Sequence, residues 1–202
     1  MRVVGINGSP NKRGTYFLLQ KTLEEVEKSG ADTTLINLVD FNILPCKGCD
    51  KCVKGKECPQ DDDVGKILEK LESSDAIIIA TPTYWGNVSG ILKNFMDRSR
   101  VARMDEMRLK NKVFAPIITS GLRNGGAGIA GMSLYSFGLG HGMICVSPTG
   151  NPVEEGAFVI GTLQSDSGWR SVKKDDIAVK AAINLGKRVI EVAKATKALR
   201  QR

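Results

Sequence analysis

Short apolar runs of β type alternate with helical stripes along almost the whole chain, and that alternation admits few folds. Residues 3–6 read as a first strand, and Leu19, Leu23 and Val26 form an i, i+4, i+7 stripe behind it. Residues 33–38 alternate polar with apolar side chains, as an edge strand does. Asp61, Asp62 and Asp63 then open a helix striped by Val64, Ile67, Leu68 and Leu71, where acidic residues favour the helix dipole. Residues 75–80 continue as a strand of the doubly buried kind. A helix over 89–98 is followed by a strand at 113–119, in which Pro116 removes a ladder bond and argues against a central position. A helix near 129–139, a strand at 143–146 and a long C-terminal helix striped by Leu185, Val189 and Val192 complete the order; only residues 148–168 lack periodicity. With 202 residues and 42% hydrophobic content, the chain reads as one α/β domain, residues 1–202, with a parallel sheet covered on both faces.

Four of the five cysteines interrupt this pattern within a loop over residues 45–60, after the second strand. Cys46, Cys49, Cys52 and Cys58 are spaced C-x2-C-x2-C-x5-C, with Pro59 after the last. A three-residue cysteine repeat turns neighbouring thiolates onto one compact centre, and ferredoxin-type runs place a fourth cysteine before proline, although after three residues where this chain has five. Structural zinc takes two separated pairs, whereas here Cys46/Cys49 and Cys49/Cys52 share a member. An iron–sulfur cluster is therefore the first expectation, with redox-active thiols and zinc as the alternatives. The fifth cysteine, Cys145, sits in an apolar run and reads as an inert core thiol.

The N-terminus enters a strand pattern directly, so no targeting segment and a cytoplasmic location are expected, with thiols kept reduced. No apolar run approaches the ~20 residues of a membrane helix. The net charge of +7 is concentrated from Arg170 to Arg202, where ten Lys/Arg face three acids without interleaved aromatics; this reads as a solvated helix face and not as a nucleic-acid surface. Lys47, Lys51, Lys54 and Lys56 are threaded between the cysteines, placed to offset cluster charge or to draw an acidic redox partner.

Three loops at strand ends carry binding chemistry. The first holds Ser9, Asn11, Arg13, Gly14, Thr15 and Tyr16 before a helix, where free N–H groups and hydroxyls suit a phosphate. It lacks both the Walker Lys-Ser/Thr pair and the G-x-G start of a dinucleotide fingerprint. The second, Pro82, Thr83, Tyr84, Trp85, Gly86 and Asn87, places two aromatic rings side by side in a chain only 5% aromatic. The third begins at Ser120 and Gly121 and is rich in glycine. In a doubly wound sheet all three rise on one edge, and together they describe a flavin mononucleotide site. His141, the lone histidine, reads as a helix-end cation or cap, and no hydrolase triad is supported.

On these residues, with Arg123-Asn124-Gly125-Gly126 and 184–189 of the last helix, the chain resembles the iron–sulfur flavoproteins, a branch of the flavodoxin-like NADPH-dependent FMN reductase superfamily. The resemblance implies a five-stranded sheet in the order 2-1-3-4-5, FMN at the strand ends, a [4Fe–4S] cluster on the four cysteines, and a homodimer or homotetramer. Relatives often read Gly-Asn-Thr where this chain has Gly14-Thr15-Tyr16, so the phosphate hydroxyl is expected from Thr15 in a shifted register or is replaced by a backbone N–H. The expected activity is transfer of electrons from a ferredoxin-like donor through the cluster to FMN and on to dioxygen, peroxide or a quinone. The alternatives are an NAD(P)H-dependent FMN or quinone reductase without a working cluster, and a zinc-stabilised binding module.

Overall fold

The computed structural model describes residues 1–200; Arg202, counted above among the basic C-terminal residues, lies outside them. Strands β1 (Arg2–Asn7), β2 (Asp32–Asn37), β3 (Ala76–Pro82), β4 (Val113–Ser120) and β5 (Ile144–Cys145) form a parallel sheet in the order β2-β1-β3-β4-β5. Helices α1 (Gly14–Lys28), α2 (Val64–Glu72), α3 (Gly90–Arg98), α4 (Arg100–Met104), α5 (Ala127–Gly140), α6 (Pro152–Glu155) and α7 (Asp176–Ala195) connect and follow them. The parallel sheet between helices is what the alternation predicts, and its flavodoxin-like order is what the resemblance implies, with the cysteine-bearing segment after β2.

Strand alternation delivers side chains to two cores. Val3, Ala76, Ile78, Val113, Ala115 and Ile117 face α1 and α7, where Leu19, Leu23, Val26, Leu185 and Val189 are buried. Val4, Ile6, Ile77, Ile79 and Phe114 face the opposite layer, with Ile67, Leu68 and Leu71 of α2 and Leu92 and Phe95 of α3. Burial of such side chains stabilises by roughly 1.5–3 kcal/mol each, so the two apolar faces hold the sheet between its helix layers.

Pro116 does lie in a strand paired on both sides, contrary to the sequence expectation. The reason is its parity. Thr119 accepts from Thr83 on the β3 side, whereas Lys112 and Phe114 accept from Ile144 and Val146 on the other. Pro116 therefore directs its missing N–H away from β3, to an edge where pairing is interrupted. There β5 pairs with Val113 and Phe114, and a further strand, β6 (Val159–Thr162), pairs with Ile117–Ser120. The fifth position of the sheet is thus shared by two short strands. A small hairpin of β7 (Gln164–Ser165) and β8 (Gly168–Trp169) follows.

The cysteine segment has little regular structure beyond a turn of 3₁₀ helix at Cys52–Lys54 and is fastened from outside. Asp63 precedes α2, as the dipole reading expects, but Asp62 does something else. Its carboxylate pairs in two-pronged fashion with Arg98 of α3, with Nη2–Oδ1 at 3.0 Å, and also accepts the Leu44 N–H at 3.0 Å. Arg98 in turn donates to the Leu44 carbonyl at 3.0 Å. One ion pair thereby ties Leu44, before Cys46, to Asp62, after Cys58. Both side chains are buried, at 2% and 1% exposure. Burial works against the Asp62 carboxylate, yet Arg98 and the Leu44 and Val64 N–H groups hold its pKa below the usual carboxylate range.

His141 ends α5 and is buried between Phe137 and Ser99, whose Oγ lies 3.0 Å from Nε2. Burial, aided by nearby Arg103, lowers its pKa to about 4, so the ring is neutral near pH 7: of the two roles expected from sequence, helix-end cation or cap, His141 takes the cap.

Two predictions follow from these buried polar groups. Arg98→Met leaves Asp62 charged, buried and alone, and urea unfolding should register a loss of about 3–5 kcal/mol; adding Asp62→Leu should recover most of it. For His141, the folded pKa lies below the unfolded value, so between about pH 6.5 and 4 the unfolded chain binds the extra proton. Stability should fall as pH drops through that window, and His141→Gln should flatten the fall by about 2 kcal/mol between pH 7 and 4.5. Equal pH slopes for the two proteins would contradict the assignment.

Candidate functional site

The carboxyl ends of β1, β3 and β4 open onto a cavity of about 840 Å³. The β1–α1 turn forms one wall. Ser9 is buried there, its N–H bonded to Asn7 Oδ1 and its Oγ accepting from the Asn11 N–H at 3.3 Å. Residue Arg13 precedes α1 without a side-chain cap, and no acid occupies the first helical turn, so the N–H groups of that turn remain open to an anion. The Thr15 and Thr119 hydroxyls lie 2.6 Å apart and join the turn to β4. A Cβ on Gly14 would come within 2.8 Å of Val172, so glycine lets the helix start pass close beneath that side chain.

Across the cavity stand Pro82, Thr83 and Tyr84 from β3, with Ser120 and Gly121 after β4. The Thr83 N–H donates to the Thr119 carbonyl at 2.7 Å, while its hydroxyl is buried without a partner. A buried hydroxyl in a polar cavity wall is a donor and acceptor awaiting a ligand or water. Lys12, Arg13 and Lys173 line the mouth, and no carboxylate, imidazole or thiol does, so the cavity favours an anionic guest and offers no strong general base.

The structure therefore brings together Ser9, Asn11, Arg13, Gly14, Thr15, Tyr16, Pro82, Thr83, Tyr84, Ser120 and Gly121. Trp85, Gly86 and Asn87 are not among the lining residues. Trp85 and Gly86 have φ of 51° and 73°, the left-handed pair of a two-residue turn that returns the chain so that Tyr84 and Asn87 exchange backbone hydrogen bonds. Trp85 consequently projects fully into solvent while Tyr84 faces the cavity. The turn abuts the start of α5: a Cβ on Gly126, itself at φ 82°, would lie 2.6 Å from Gly86 Cα. Sequence reasoning missed Phe17, Gln20, Thr119, Leu163 and the Ser171–Lys173 segment, which complete the lining. Of these only Thr119 had a local signal, as the last polar residue of an apolar strand.

A second cavity, of about 480 Å³, is lined by all four clustered cysteines together with Leu44, Arg98, Arg100 and Val101, and shares no lining residue with the first. Cys46 and Cys49 are exposed and Cys52 and Cys58 partly so, all as free thiols. Among the described residues no three His, Cys, Asp or Glu side chains close on one point as ligands of a single ion. Arg100 pairs with Asp50 within this loop at 3.1 Å. Cys145 lies apart, half-buried, with its thiol over the Tyr135 carbonyl at 3.9 Å and its pKa raised by burial, as an unreactive thiol should be.

Comparison with known proteins agrees with this geometry. Residues 1–156 match the family described as NADPH-dependent FMN reductase. An iron-sulfur flavoprotein of Archaeoglobus fulgidus is 57% identical over 201 residues, covering 100% of both chains. One of Methanocaldococcus jannaschii is 38% identical over 98% of this chain and 100% of the relative. In fold, a flavodoxin, WrbA-like protein from Agrobacterium tumefaciens superposes with a TM-score of 0.60 at 22% identity, covering 96% of this chain and 98% of that one. Among the described residues no helix is long and apolar enough to cross a membrane. The chain belongs to the NADPH-dependent FMN reductase family, with the iron–sulfur flavoproteins as its relatives, and is an FMN-dependent oxidoreductase.

Proposed function

We propose that this protein is an iron–sulfur flavoprotein that carries electrons from a ferredoxin-like donor to a small acceptor such as dioxygen, peroxide or a quinone, acting in the cytoplasm as a homodimer or homotetramer. The observation that carries the reading is the pairing, on one chain, of a four-thiol cavity with a separate cavity at the sheet's carboxyl edge. When bound, FMN exchanges electrons singly or in pairs and a [4Fe–4S] cluster one at a time, so a chain holding both links one-electron donors to two-electron acceptors.

The residues present fit both groups. For FMN, the uncapped start of α1 with Ser9, Asn11, Gly14 and Thr15 suits the phosphate, and Arg13 balances its charge. Pro82, Thr83, Tyr84, Ser120 and Gly121 wall the remaining space, and the unpartnered Thr83 hydroxyl offers the ring or ribityl chain a hydrogen bond. Tyr16 adds a phenol to the wall nearest α1. For the cluster, Cys46, Cys49, Cys52 and Cys58 supply four sulfur donors and the cavity holds no histidine, the donor set soft iron–sulfur centres prefer. The lack of carboxylates, imidazoles and thiols among the described residues lining the first cavity suits a protein whose task is to position a carrier and exclude competing chemistry.

A second reading, direct oxidation of NAD(P)H by the flavin, is favoured by the family match and by the basic mouth of Lys12, Arg13 and Lys173. Anaerobic mixing separates the two: rapid flavin bleaching by reduced ferredoxin and not by NADPH supports the first, and the reverse supports the second.

Anaerobically purified protein should show flavin and iron–sulfur absorbance, with iron, sulfide and FMN recovered together. Cys49→Ser should lose the iron–sulfur absorbance and keep FMN, because the two cavities have no residue in common; parallel loss of FMN would defeat that modular picture. Added FMN, at ~1,000-fold above its dissociation constant, should stabilise the fold by about 4 kcal/mol, read as a rise in Tm. An unmoved Tm would count against the first cavity as the flavin site.

A further inference from the structure

Arg98 retains a donor that the fold does not use. Its Nη atoms are taken by the Asp62 carboxylate and the Leu44 carbonyl, but Nε is buried and meets no acceptor. The side chain is 2% exposed and lines the cavity of the four cysteines. A buried N–H left without a partner costs about 1–3 kcal/mol, and nothing in the packing of α3 requires that cost. Asp62 already balances the guanidinium charge, so loop closure alone does not explain the idle group.

We propose that Arg98 is a positioning residue for the cluster: its remaining N–H is held for the sulfur ligands, Cys58 first, a hydrogen bond that favours the reduced, more negative cluster. The inference rests on the reading of the four cysteines as cluster ligands. Three observations support it. Cys58 shares the cavity with Arg98 and lies only four residues before Asp62, to which Arg98 is bonded. Its Nε lies buried in the wall of that cavity with no acceptor among the described residues. The other cationic donors lining this cavity, Lys47 and Arg100, are exposed or partly so, and Arg100 is engaged by Asp50, so Arg98 is the buried one with a donor to give. A hydrogen bond to a cluster sulfur is one lever by which a protein raises such a potential without changing the ligands.

The test compares wild type with Arg98→Lys, which keeps the charge and loses the planar fork, and with Arg98→Met/Asp62→Leu, which removes both buried charges together. Each is purified anaerobically, iron, sulfide and FMN are quantified, and the cluster midpoint potential is titrated spectroscopically. In the double variant the one-electron reduction of the cluster should become about tenfold less favourable, a drop of about 59 mV, with a smaller drop in Arg98→Lys. Loss of iron and sulfide from a variant that keeps its FMN and a cooperative melt also supports the role, since the ligand set is then no longer held. A merely structural Arg98 would lower Tm and leave the potential in place, so an unchanged potential at full iron content in the double variant overturns the proposal. Wild-type protein that carries FMN but neither iron nor sulfide refutes the cysteine reading itself, and this inference with it.

Discussion

The ion pair between Asp62 and Arg98 decides whether the thiol-bearing segment is part of the globule or a loose strap. Most of that segment has no ladder or helix of its own, and its cysteine, lysine and glycine content gives it little to bury. Closing such a loop costs entropy that grows only slowly with length, so a single well-buried fastening near its ends is enough. The guanidinium supplies it by gripping both ends at once, the Leu44 carbonyl on one side and the Asp62 carboxylate on the other. A buried pair of this kind is weak as a source of net stability but strict about geometry: it tolerates one arrangement, and removal of either partner leaves a charge stranded. Strictness is what a ligand set needs.

The same sheet supports the other cavity by a different device. There the positions are set by strand register, which places Asn7 opposite Ala80 and Pro82 opposite Thr119, so three loops emerge at nearly one level. The walls are backbone and hydroxyl, with the Thr15–Thr119 contact stitching the helix start to β4. One cavity is thus built from rigid strand ends and the other from a pinned loop. Because they share no wall, the chemistry of each is set by its own surroundings.

Much of this was legible in the sequence because it is written in short-range periodicity. The apolar runs of β1, β3 and β4, the stripes of α1, α2 and α7, and the spacing of Cys46, Cys49, Cys52 and Cys58 each announce themselves within a dozen residues. What escaped depends on partners far apart in the chain. Asp62 looked like one of three dipole-favouring acids and Arg98 merely marked the end of a helix; only their meeting across 36 positions reveals a clamp. β6 is four residues long in a stretch without alternation, and its strand character comes from β4 beside it. Trp85 looked like a cavity wall because its neighbours are, but the left-handed turn at Trp85-Gly86 sends the indole outward, and an L-residue with positive φ is hard to foresee from composition.

The proline in β4 has a consequence for how this architecture can vary. By withholding a donor where β5 stops and β6 has yet to begin, Pro116 makes the outer edge of the sheet a fork with two independent tines. The excursion between them carries only the short helix α6, which is bonded to α7 through Glu154–Lys180 and Glu155–Asn184 and not to the sheet. Lengthening or shortening it would shift neither the register of β4 on β3 nor the loops that rise from them. The fork is a built-in tolerance: a stretch of chain free to acquire new surface while the redox machinery stays still.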